Sequence, residues 1–239
     1  MLWIRFWKKK IMKFSCIVAD PPYHFSDRLL QSSTKRGAES QYAVMTDQDI
    51  INLDIKSICA DDSILALWVP GSKLDIGLAC AENWGFKITQ TWIWVKTKQS
   101  PFEDLKKSIT KIIKKEKKDD FGKLIYDVID GFRLGDILNF FMGHCFRQTH
   151  ELCLIGVRGK YTRLLENRSQ RSVYVGPALE KHSQKPEELQ DRLDIMLGSV
   201  PKIEIFARRD RPGWTCVGLQ CPSTMDEDIR DSIKKLSVL

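Results

Sequence analysis

Neither a secretory signal nor a membrane span can be found in this sequence. The opening residues, MLWIRFWKKKIMKF, alternate apolar and basic side chains, whereas a signal peptide needs an uninterrupted apolar region and a small-residue cleavage site. No apolar run approaches the roughly 20 residues that a membrane helix requires. Both absences argue against secretion and against a membrane partner, and we expect a cytoplasmic protein.

Cysteine pairs at the spacing of a metal or redox site are missing as well. The seven cysteines are Cys16, Cys59, Cys80, Cys145, Cys153, Cys216 and Cys221. Their odd number argues against a disulfide framework, and most lie among apolar neighbours, so we predict buried free thiols. His144, Cys145, His150 and Cys153 lie close together, but their spacing matches no standard zinc site, and we predict no metal.

Strong compositional bias is also missing, which leaves an ordinary globular protein. The chain has 239 residues, 43% hydrophobic and 29% charged, so we predict a single domain over residues 1–239. Residues 1–12 are set apart as a basic N-terminal extension, and Met12 could be a second start. The net charge of +7 favours a polyanionic partner.

Short strand patterns alternate with helix patterns along the chain. FSCIVA and DSILALWVP are typical of buried strands, and FKITQTWIWVKT, HELCLIGVRGK and KIEIFARR are rich in β-branched and aromatic residues. Residues 74–83 and PEELQDRLDIML fit helices. This alternation predicts an α/β fold with a mostly parallel sheet and helices on both faces. Ligands of such sheets bind beyond the carboxyl ends of the strands.

Residues 101–140 interrupt the alternation, and we interpret them as a basic helical insertion. KKSITKIIKKEKK holds seven lysines and one glutamate, and Leu105, Ile109, Ile112 and Ile113 fall at helical spacing. One interpretation is a solvated surface helix that packs through its apolar stripe. The other is an element that follows nucleic-acid phosphates beside the active site. The sequence leaves both open.

The segment VADPPYHF carries distinctive chemistry. A predicted buried strand ends at Asp20, and Pro21, Pro22 and Tyr23 follow. An adenine amino group is a poor nucleophile, because its lone pair is delocalised into the ring. It can attack a methyl sulfonium if a carboxylate and a backbone carbonyl accept its two N–H bonds and so stabilise the developing charge. Asp20 would supply the carboxylate and Pro21 the carbonyl.

The remaining residues of this segment fit the same interpretation. The prolines remove N–H groups that would compete for the acceptors, and Tyr23 would offer a ring on which a displaced base stacks. The alternative is a plain turn, since Asp-Pro pairs are frequent in turns. A plain turn would not explain the preceding buried strand or the doubled proline. We therefore predict that Asp20, Pro21, Pro22 and Tyr23 are catalytic, with Tyr23 also contacting the base.

Five segments in order resemble the family of the messenger-RNA adenosine methyltransferase catalytic subunit and its bacterial and phage relatives. They are VADPPY, LALWVPGSKLDIGLACAENWGFKITQTWIWVKT, HELCLIGVRGK, HSQKP and KIEIFARRDRPGW. The resemblance implies a Rossmann-like fold that uses S-adenosylmethionine, with the catalytic motif ahead of the main cofactor-binding strand. The fourth motif residue is Tyr, as is common in prokaryotic and phage members, whereas the mRNA enzyme has Trp.

The resemblance also implies roles for individual residues. The implied cofactor-binding residues are Asp20, His150, Phe206, Arg208, Asp210 and Gln220. Asp210 and Arg211 occupy positions where the mRNA enzyme has different side chains, and His150 replaces a lysine. We expect Lys96, at the end of a strand pattern, and Lys185, in HSQKP, to contact the substrate.

We predict a methyltransferase that uses S-adenosylmethionine to methylate the exocyclic amine of adenine in DNA, in a bacterium or a phage-infected cell. The DNA preference rests on the Tyr variant, the small size and the lack of accessory RNA-binding modules. One alternative is the same reaction on RNA adenosine, and another is a non-catalytic nucleic-acid-binding partner subunit. Cytosine enzymes more often carry Ser in place of the Asp. A homodimer or heterodimer is compatible with the sequence.

Overall fold

A computed structural model describes residues 13–25, 45–115, 137–141, 145–179 and 184–238. In these ranges the chain forms seven strands and five α-helices. The strands are β1 (Phe14–Ala19), β2 (Cys59–Val69), β3 (Lys87–Thr97), β4 (His150–Arg158), β5 (Val173–Pro177), β6 (Lys202–Ile205) and β7 (Thr215–Val217). The helices are α1 (Asp47–Ile51), α2 (Leu74–Asn83), α3 (Pro101–Lys115), α4 (Glu188–Leu197) and α5 (Ile229–Val238).

The strands form one mixed sheet in the order β5-β3-β4-β2-β1-β6-β7. The pairs β1–β2, β1–β6, β6–β7 and β3–β5 are parallel, while β4 is antiparallel to β2. The prediction of an α/β fold with a mostly parallel sheet is therefore confirmed. The antiparallel β4 is an addition that the sequence did not show, because an apolar run looks the same in either chain direction.

Strand β1 lies in the interior of the sheet, between β2 and β6. All six of its residues are buried, and its register joins Ala19 to Leu67 on one side and to Ile205 on the other. A strand with neighbours on both sides and layers on both faces needs apolar side chains at every position. The run FSCIVA provides them at every position except Ser15, which is small and buried, and the predicted bounds of this strand are confirmed.

The chain divides into two compact units, which are described separately. Unit 1 comprises Met1–Thr91, Leu152–Gln170 and Leu189–Leu239, and unit 2 comprises Trp92–Glu151 and Arg171–Glu188. The single domain that we predict over residues 1–239 therefore remains a prediction. Residues 1–12 and 116–136 lie outside the described residues. In the part of the chain that the structure describes, no helix is long and apolar enough to cross a membrane.

Unit 1 is built on apolar contacts between its strands and helices α1, α2 and α5. Helix α1 is capped by Thr46, whose hydroxyl accepts a hydrogen bond from the Asp49 N–H at 3.1 Å. Trp84, fully buried after α2, donates its ring N–H to the Ile51 carbonyl at 3.2 Å. Helices α1 and α2 are thereby joined beside the strand that leads to the candidate site.

Unit 2 contains the C-terminal half of β3 together with β5 and α3. The fully buried Trp94 donates its ring N–H to the Gly176 carbonyl at 3.2 Å, and Trp92 stacks on Tyr174 with ring centroids 6.2 Å apart. After α3 the chain returns to the end of β3, where the Lys98 N–H donates to the Ile137 carbonyl at 2.9 Å. The predicted basic helix is thus present over 101–115.

Candidate active site

Three parallel strands of unit 1 end together at one edge of the sheet. Register pairs Ala19 of β1 with Ile205 of β6, and Ile205 with Val217 of β7. The residues that follow these strand ends are Asp20, Phe206 and Gly218. Since neighbouring strands lie about 4.8 Å apart, the three positions form one row at the carboxyl edge, where α/β sheets bind ligands. The row joins the predicted catalytic residue to the predicted cofactor loop.

The backbone donors of the Asp-Pro-Pro-Tyr segment are all committed inside the protein. The Asp20 N–H donates to the Ile205 carbonyl at 3.4 Å, and the Tyr23 N–H turns back to the Pro21 carbonyl at 2.9 Å. Pro21 and Pro22 have no N–H. The Pro22 carbonyl accepts the Met45 N–H at 3.2 Å, so the segment is held from both ends. A carbonyl has two lone pairs, so that of Pro21 retains one accepting position.

Tyr23 lies within the core of unit 1. Its side chain is 3% exposed, and its hydroxyl donates to the Trp68 carbonyl at 3.2 Å. Burial, reinforced by the nearby Cys80 thiol and the Asp20 carboxylate, raises the pKa of Tyr23 far above its ordinary value. The hydroxyl therefore stays protonated. A stacking role needs an accessible ring face, which the buried ring does not offer here, so that role stays a prediction.

An ion pair lies beside this segment in unit 1. The Lys73 ammonium is 2.6 Å from an Asp47 carboxylate oxygen and 5.9 Å from the centre of the Phe25 ring. Lys73 ends the turn after β2, and Asp47 opens α1. The ion pair therefore ties the start of α1 to the carboxyl end of β2, and the ring contact places Phe25 beside it.

The loop after β6 has unusual backbone geometry at Phe206. Its φ is +66°, in the left-handed region that disfavours residues with a side chain. The next residue, Ala207, donates its N–H to the Val217 carbonyl at 2.9 Å. A Cβ at Gly218 would lie 2.3 Å from the Ala207 carbonyl oxygen. The loops after β6 and β7 therefore run in close backbone contact, and the ring of the half-buried Phe206 projects from a constrained position.

The other residues predicted in these loops differ in what they contact. Hydrogen bonds from Ser223 and Cys221 hold the pKa of Asp210 below its ordinary value. Gln220 is exposed, and Arg208 is partly exposed. The Asp210 carboxylate thus binds its own loop in this structure, and its predicted cofactor contact stays a prediction, as do those of Arg208 and Gln220.

Arg211 lies next to the predicted residues but contacts a helix. Its guanidinium is 2.6 Å from an oxygen of Asp191 and 2.9 Å from an oxygen of Asp194, both on α4. Asp194 also accepts the ring N–H of Trp214 at 3.0 Å and pairs with Lys202 at 3.2 Å. These contacts fix the path of the chain between β6 and β7.

Unit 2 brings together two predicted substrate lysines around one carboxylate. Glu151 forms an ion pair with Lys96 and lies 3.2 Å from the Lys185 ammonium. Burial alone would raise the pKa of Glu151, but the ammonium groups of Lys185 and Lys96 outweigh it and hold the pKa below its ordinary value. Glu151 is therefore ionised at neutral pH and fixes both lysines.

Aromatic rings enclose Lys96 further. Its ammonium lies 4.7 Å from the centre of the Trp94 ring and 5.0 Å from that of Phe141, distances at which a cation is attracted by a ring face. His150, next to Glu151, is exposed, and its carbonyl accepts a hydrogen bond from the Gln148 side chain at 2.8 Å. The predicted cofactor contact of His150 stays a prediction.

Comparison with known proteins decides the family. The sequence pattern of the MT-A70 family matches residues 14–119 and 133–220 of this chain. The chain belongs to the MT-A70 family. The match covers both the row at the carboxyl edge of unit 1 and the lysine cluster of unit 2, so the resemblance predicted from the five ordered segments is confirmed.

Relatives within and beside the MT-A70 family differ greatly in length. The chain is 26% identical over 226 residues to a probable N(6)-adenosine-methyltransferase MT-A70-like protein of Oryza sativa subsp. japonica, covering 93% of this chain and 25% of that protein. It is 26% identical over 210 residues to the human N(6)-adenosine-methyltransferase catalytic subunit METTL3, covering 87% and 28%. Against the type II methyltransferase M.MunI of Mycoplasma sp, identity is 24% over 233 residues, covering 90% and 81%.

The chain thus spans about a quarter of the length of the plant and human relatives, but most of the length of M.MunI.

Glu151, which pairs with both predicted substrate lysines, was not predicted from the sequence. The available signal was its position directly after His150 in HELCLIGVRGK, a segment in which a role was predicted for His150 and none for Glu151. Its partners Lys96 and Lys185 lie 55 and 34 residues away, so no local pattern joins the three.

Proposed function

We propose that this protein is a methyltransferase that uses S-adenosylmethionine to methylate the exocyclic amine of adenine in DNA. The observation that carries the proposal is the hydrogen-bonding state of the Asp-Pro-Pro-Tyr segment. Its two N–H groups and its one hydroxyl all donate within the protein, and its prolines have no N–H. The segment can therefore offer a ligand acceptors but no donors, and these acceptors include the Asp20 carboxylate and the Pro21 carbonyl.

An acceptor-only segment suits an amine and suits few other groups of a base. An exocyclic amine has two N–H bonds to donate, whereas the keto oxygens of guanine, thymine and uracil would meet further acceptors. As the amine nitrogen rehybridises, its N–H bonds become stronger donors, and fixed acceptors stabilise the charge that develops. Loss of one such fixed contact typically raises a barrier by about 2.7–4 kcal/mol.

The residues at the carboxyl edge of unit 1 fit S-adenosylmethionine. When bound, this cofactor supplies an electrophilic methyl group on a cationic sulfur. The Asp20 carboxylate favours cationic groups near it. The constrained Phe206 ring and the exposed Gln220 amide offer an apolar face and hydrogen-bonding groups. The close backbone approach at Gly218 holds these loops in place. We assign Arg208, Asp210 and His150 to the same cofactor by resemblance.

DNA is the favoured substrate for two reasons. The fourth motif residue is Tyr23, as in prokaryotic and phage members. In addition, this chain covers 81% of the type II methyltransferase M.MunI, but only about a quarter of the relatives named N(6)-adenosine-methyltransferases. Those names support RNA adenosine as the second candidate. In either case Lys96 and Lys185, held by Glu151, provide positive charge for a polyanionic strand. A non-catalytic partner subunit is the third candidate.

The test is a methyl-transfer assay with S-adenosylmethionine on single-stranded DNA, duplex DNA and RNA, offered separately. Products are read as methylated nucleosides by mass spectrometry, and cofactor binding is measured alongside by calorimetry. Methylated deoxyadenosine alone is the expected result. Methylated adenosine in RNA alone would keep the chemistry and overturn the DNA assignment. Cofactor binding with no product on any substrate would contradict the proposed activity and favour a partner subunit.

A further inference from the structure

We propose, on the basis of the function just proposed, that unit 2 itself holds the nucleic-acid strand and favours single-stranded DNA. Two surfaces carry the proposal. The basic face of α3 consists of Lys106, Lys107, Lys111 and Lys114 and would follow the phosphates. The ring patch consists of Phe140, Phe141 and Phe146 and would stack on unpaired bases.

The basic face is a continuous stripe along one side of α3. The four lysines are exposed and, with Glu103 and Thr110, line a shallow groove on the helix surface. At 100° per residue they fall within an arc of about 140°, while Leu105 and Ile109, both half-buried, lie on the opposite side. The helix has 15 residues and is therefore about 22 Å long, which spans several phosphates of an extended strand.

Among the described residues, acids balance the charges on this face only in part. Lys107 lies 3.8 Å from Asp104, but among the described residues no acidic side chain pairs with Lys106, Lys111 or Lys114. Surface helices that are merely solvated gain stability from opposite charges three or four positions apart. Here Lys107, Lys111 and Lys114 repeat at that spacing with like charge, which destabilises an isolated helix. A polyanion lying along the face would remove that repulsion.

The ring patch is unusually open to solvent. Phe146 is 88% exposed, Phe140 is 72% exposed and Phe141 is 41% exposed. The Arg147 guanidinium lies 4.8 Å from the centre of the Phe140 ring, and the Lys96 ammonium lies 5.0 Å from that of Phe141. Exposed aromatic rings interleaved with cations are the features by which proteins bind single strands, because every unpaired base has a stacking face.

The same observations favour a nucleic acid over a protein partner. The cores of protein interfaces are depleted in lysine, whereas unit 2 carries the ring patch together with four exposed lysines of α3. The segments that carry both surfaces are also connected to the end of the same strand, β3. Helix α3 begins four residues after Thr97, and the Lys98 N–H brings residues 137–141 back by its bond to Ile137. A duplex keeps its bases stacked and offers no free base face to a ring, so the ring patch adds affinity for a single strand alone.

The first test measures binding to a fluorescent 20-nucleotide DNA strand across a range of salt concentrations. We compare Lys106→Gln/Lys111→Gln/Lys114→Gln with a control that makes the same charge change on exposed lysines of unit 1, Lys56→Gln/Lys87→Gln/Lys234→Gln. The slope of log K against log salt should fall in magnitude by about 2 in the first variant, since each phosphate contact contributes about 0.7. Equal slopes in the two variants would overturn the role of α3.

The second test uses the ring patch. Phe140→Leu/Phe146→Leu should weaken single-strand binding about tenfold while leaving the salt slope and duplex binding unchanged, and Phe140→Tyr/Phe146→Tyr should restore it. Equal affinity of the Leu and Tyr variants would overturn base stacking. The ring patch could instead bind a second copy of this chain, and sedimentation of both variants tests this. A dimer that is lost only in the Leu variant would assign the patch to a second copy.

These tests separate the proposal from the activity on which it rests. Binding is measured without turnover, so an inactive protein with the expected slopes would contradict the methyltransferase and not the strand-binding surfaces. An active protein with unchanged slopes would do the reverse. Thermal unfolding checks that the variants fold. If the triple variant is unfolded, Lys106→Gln and Lys111→Gln alone should each lower the slope by about 0.7.

Discussion

Units 1 and 2 hold their functional groups in different ways. In unit 1 the Asp20–Tyr23 segment is fixed mainly by main-chain hydrogen bonds to Ile205 and Met45, and by the buried Tyr23 hydroxyl. In unit 2 the residues that we propose to bind the strand are mainly long cationic side chains. Some are fixed by Glu151, and others are exposed on α3. A reacting amine needs acceptors at fixed positions, whereas a phosphate chain needs only charge within reach. We therefore expect substitutions to have large, local effects in unit 1 and smaller, graded effects in unit 2.

The largest effect is expected at Asp20. Asp20→Ala should reduce methyl transfer by at least about 100-fold, because it removes one of the two acceptors for the amine. The residue follows a strand end and does not fill the core, so the thermal transition should stay close to that of the wild type. Turnover is measured with saturating DNA and cofactor. Asp61→Asn, which neutralises an exposed carboxylate in the same unit, is the control and should keep full activity; near-normal turnover of Asp20→Ala would contradict the proposed chemistry.

The next largest effect concerns stability. Tyr23→Ala should lower the free energy of unfolding by about 3–5 kcal/mol, as expected for removing a large buried ring. Tyr23→Phe keeps the ring and should cost about 1 kcal/mol, because the Trp68 carbonyl loses a donor. Denaturant unfolding measures both. If the Ala and Phe variants lose equal stability, the ring is not packed as in this structure and is available for stacking.

Glu151 provides a smaller effect with a defined pH dependence. Glu151→Gln should cost about 2 kcal/mol, between the roughly 0.2–1 kcal/mol of an exposed pair and the roughly 3–5 kcal/mol of a fully buried one. The pKa of Glu151 is held below its ordinary value of 4.5. Its stabilisation is therefore complete above that value and is lost as the pH falls through the lowered pKa.

The stability gap between wild type and Glu151→Gln should accordingly be full at pH 7 and should shrink below about pH 4.5. Chemical denaturation at several pH values measures it. Glu82→Gln removes an exposed carboxylate of unit 1 and serves as the control with little change. A gap that widens as the pH falls would show that Glu151 is not paired with Lys96 and Lys185.

The smallest effect leaves stability unchanged and tests burial in both units. A thiol reagent at pH 8 should modify one cysteine of the folded protein and seven after denaturation. Cys145, in unit 2, is exposed and the other six are buried. Burial raises the pKa of Cys16, Cys59 and Cys80 to about 12, which removes the reactive thiolate. Cys145→Ser should abolish the reaction of the folded protein, and a second reactive thiol would contradict the burial pattern.

Much of the sheet was predictable, because buried strands and capped helices leave local patterns. The bounds of β1, the range of α2 and the cap at Thr46 all follow from neighbours in the sequence. Strand β5 was not predicted. It has five residues, of which Val173 and Val175 are exposed, so neither an apolar run nor a clean alternation marks it.

Local patterns failed where a side chain meets partners distant in sequence. The motif identified Asp20, but not that Tyr23 would be buried against Trp68, 45 residues further on. Nothing near Asp210 shows that Cys221 and Ser223 bind its carboxylate. Glu151 joins Lys96 and Lys185 only through the fold. In each case the residue type was visible in the sequence, while the atoms that it contacts were not.

The interior position of β1 has a consequence for how the protein is made. Its partner β6 follows about 180 residues later along the chain, so at ordinary rates of synthesis about 10–40 seconds pass before β6 leaves the ribosome. Until then one edge of this buried, largely apolar strand has unpaired N–H and C=O groups, open to pairing with other nascent chains. We therefore expect the first half of this protein, when released alone, to aggregate, and its completion to depend on chaperones that shield that edge.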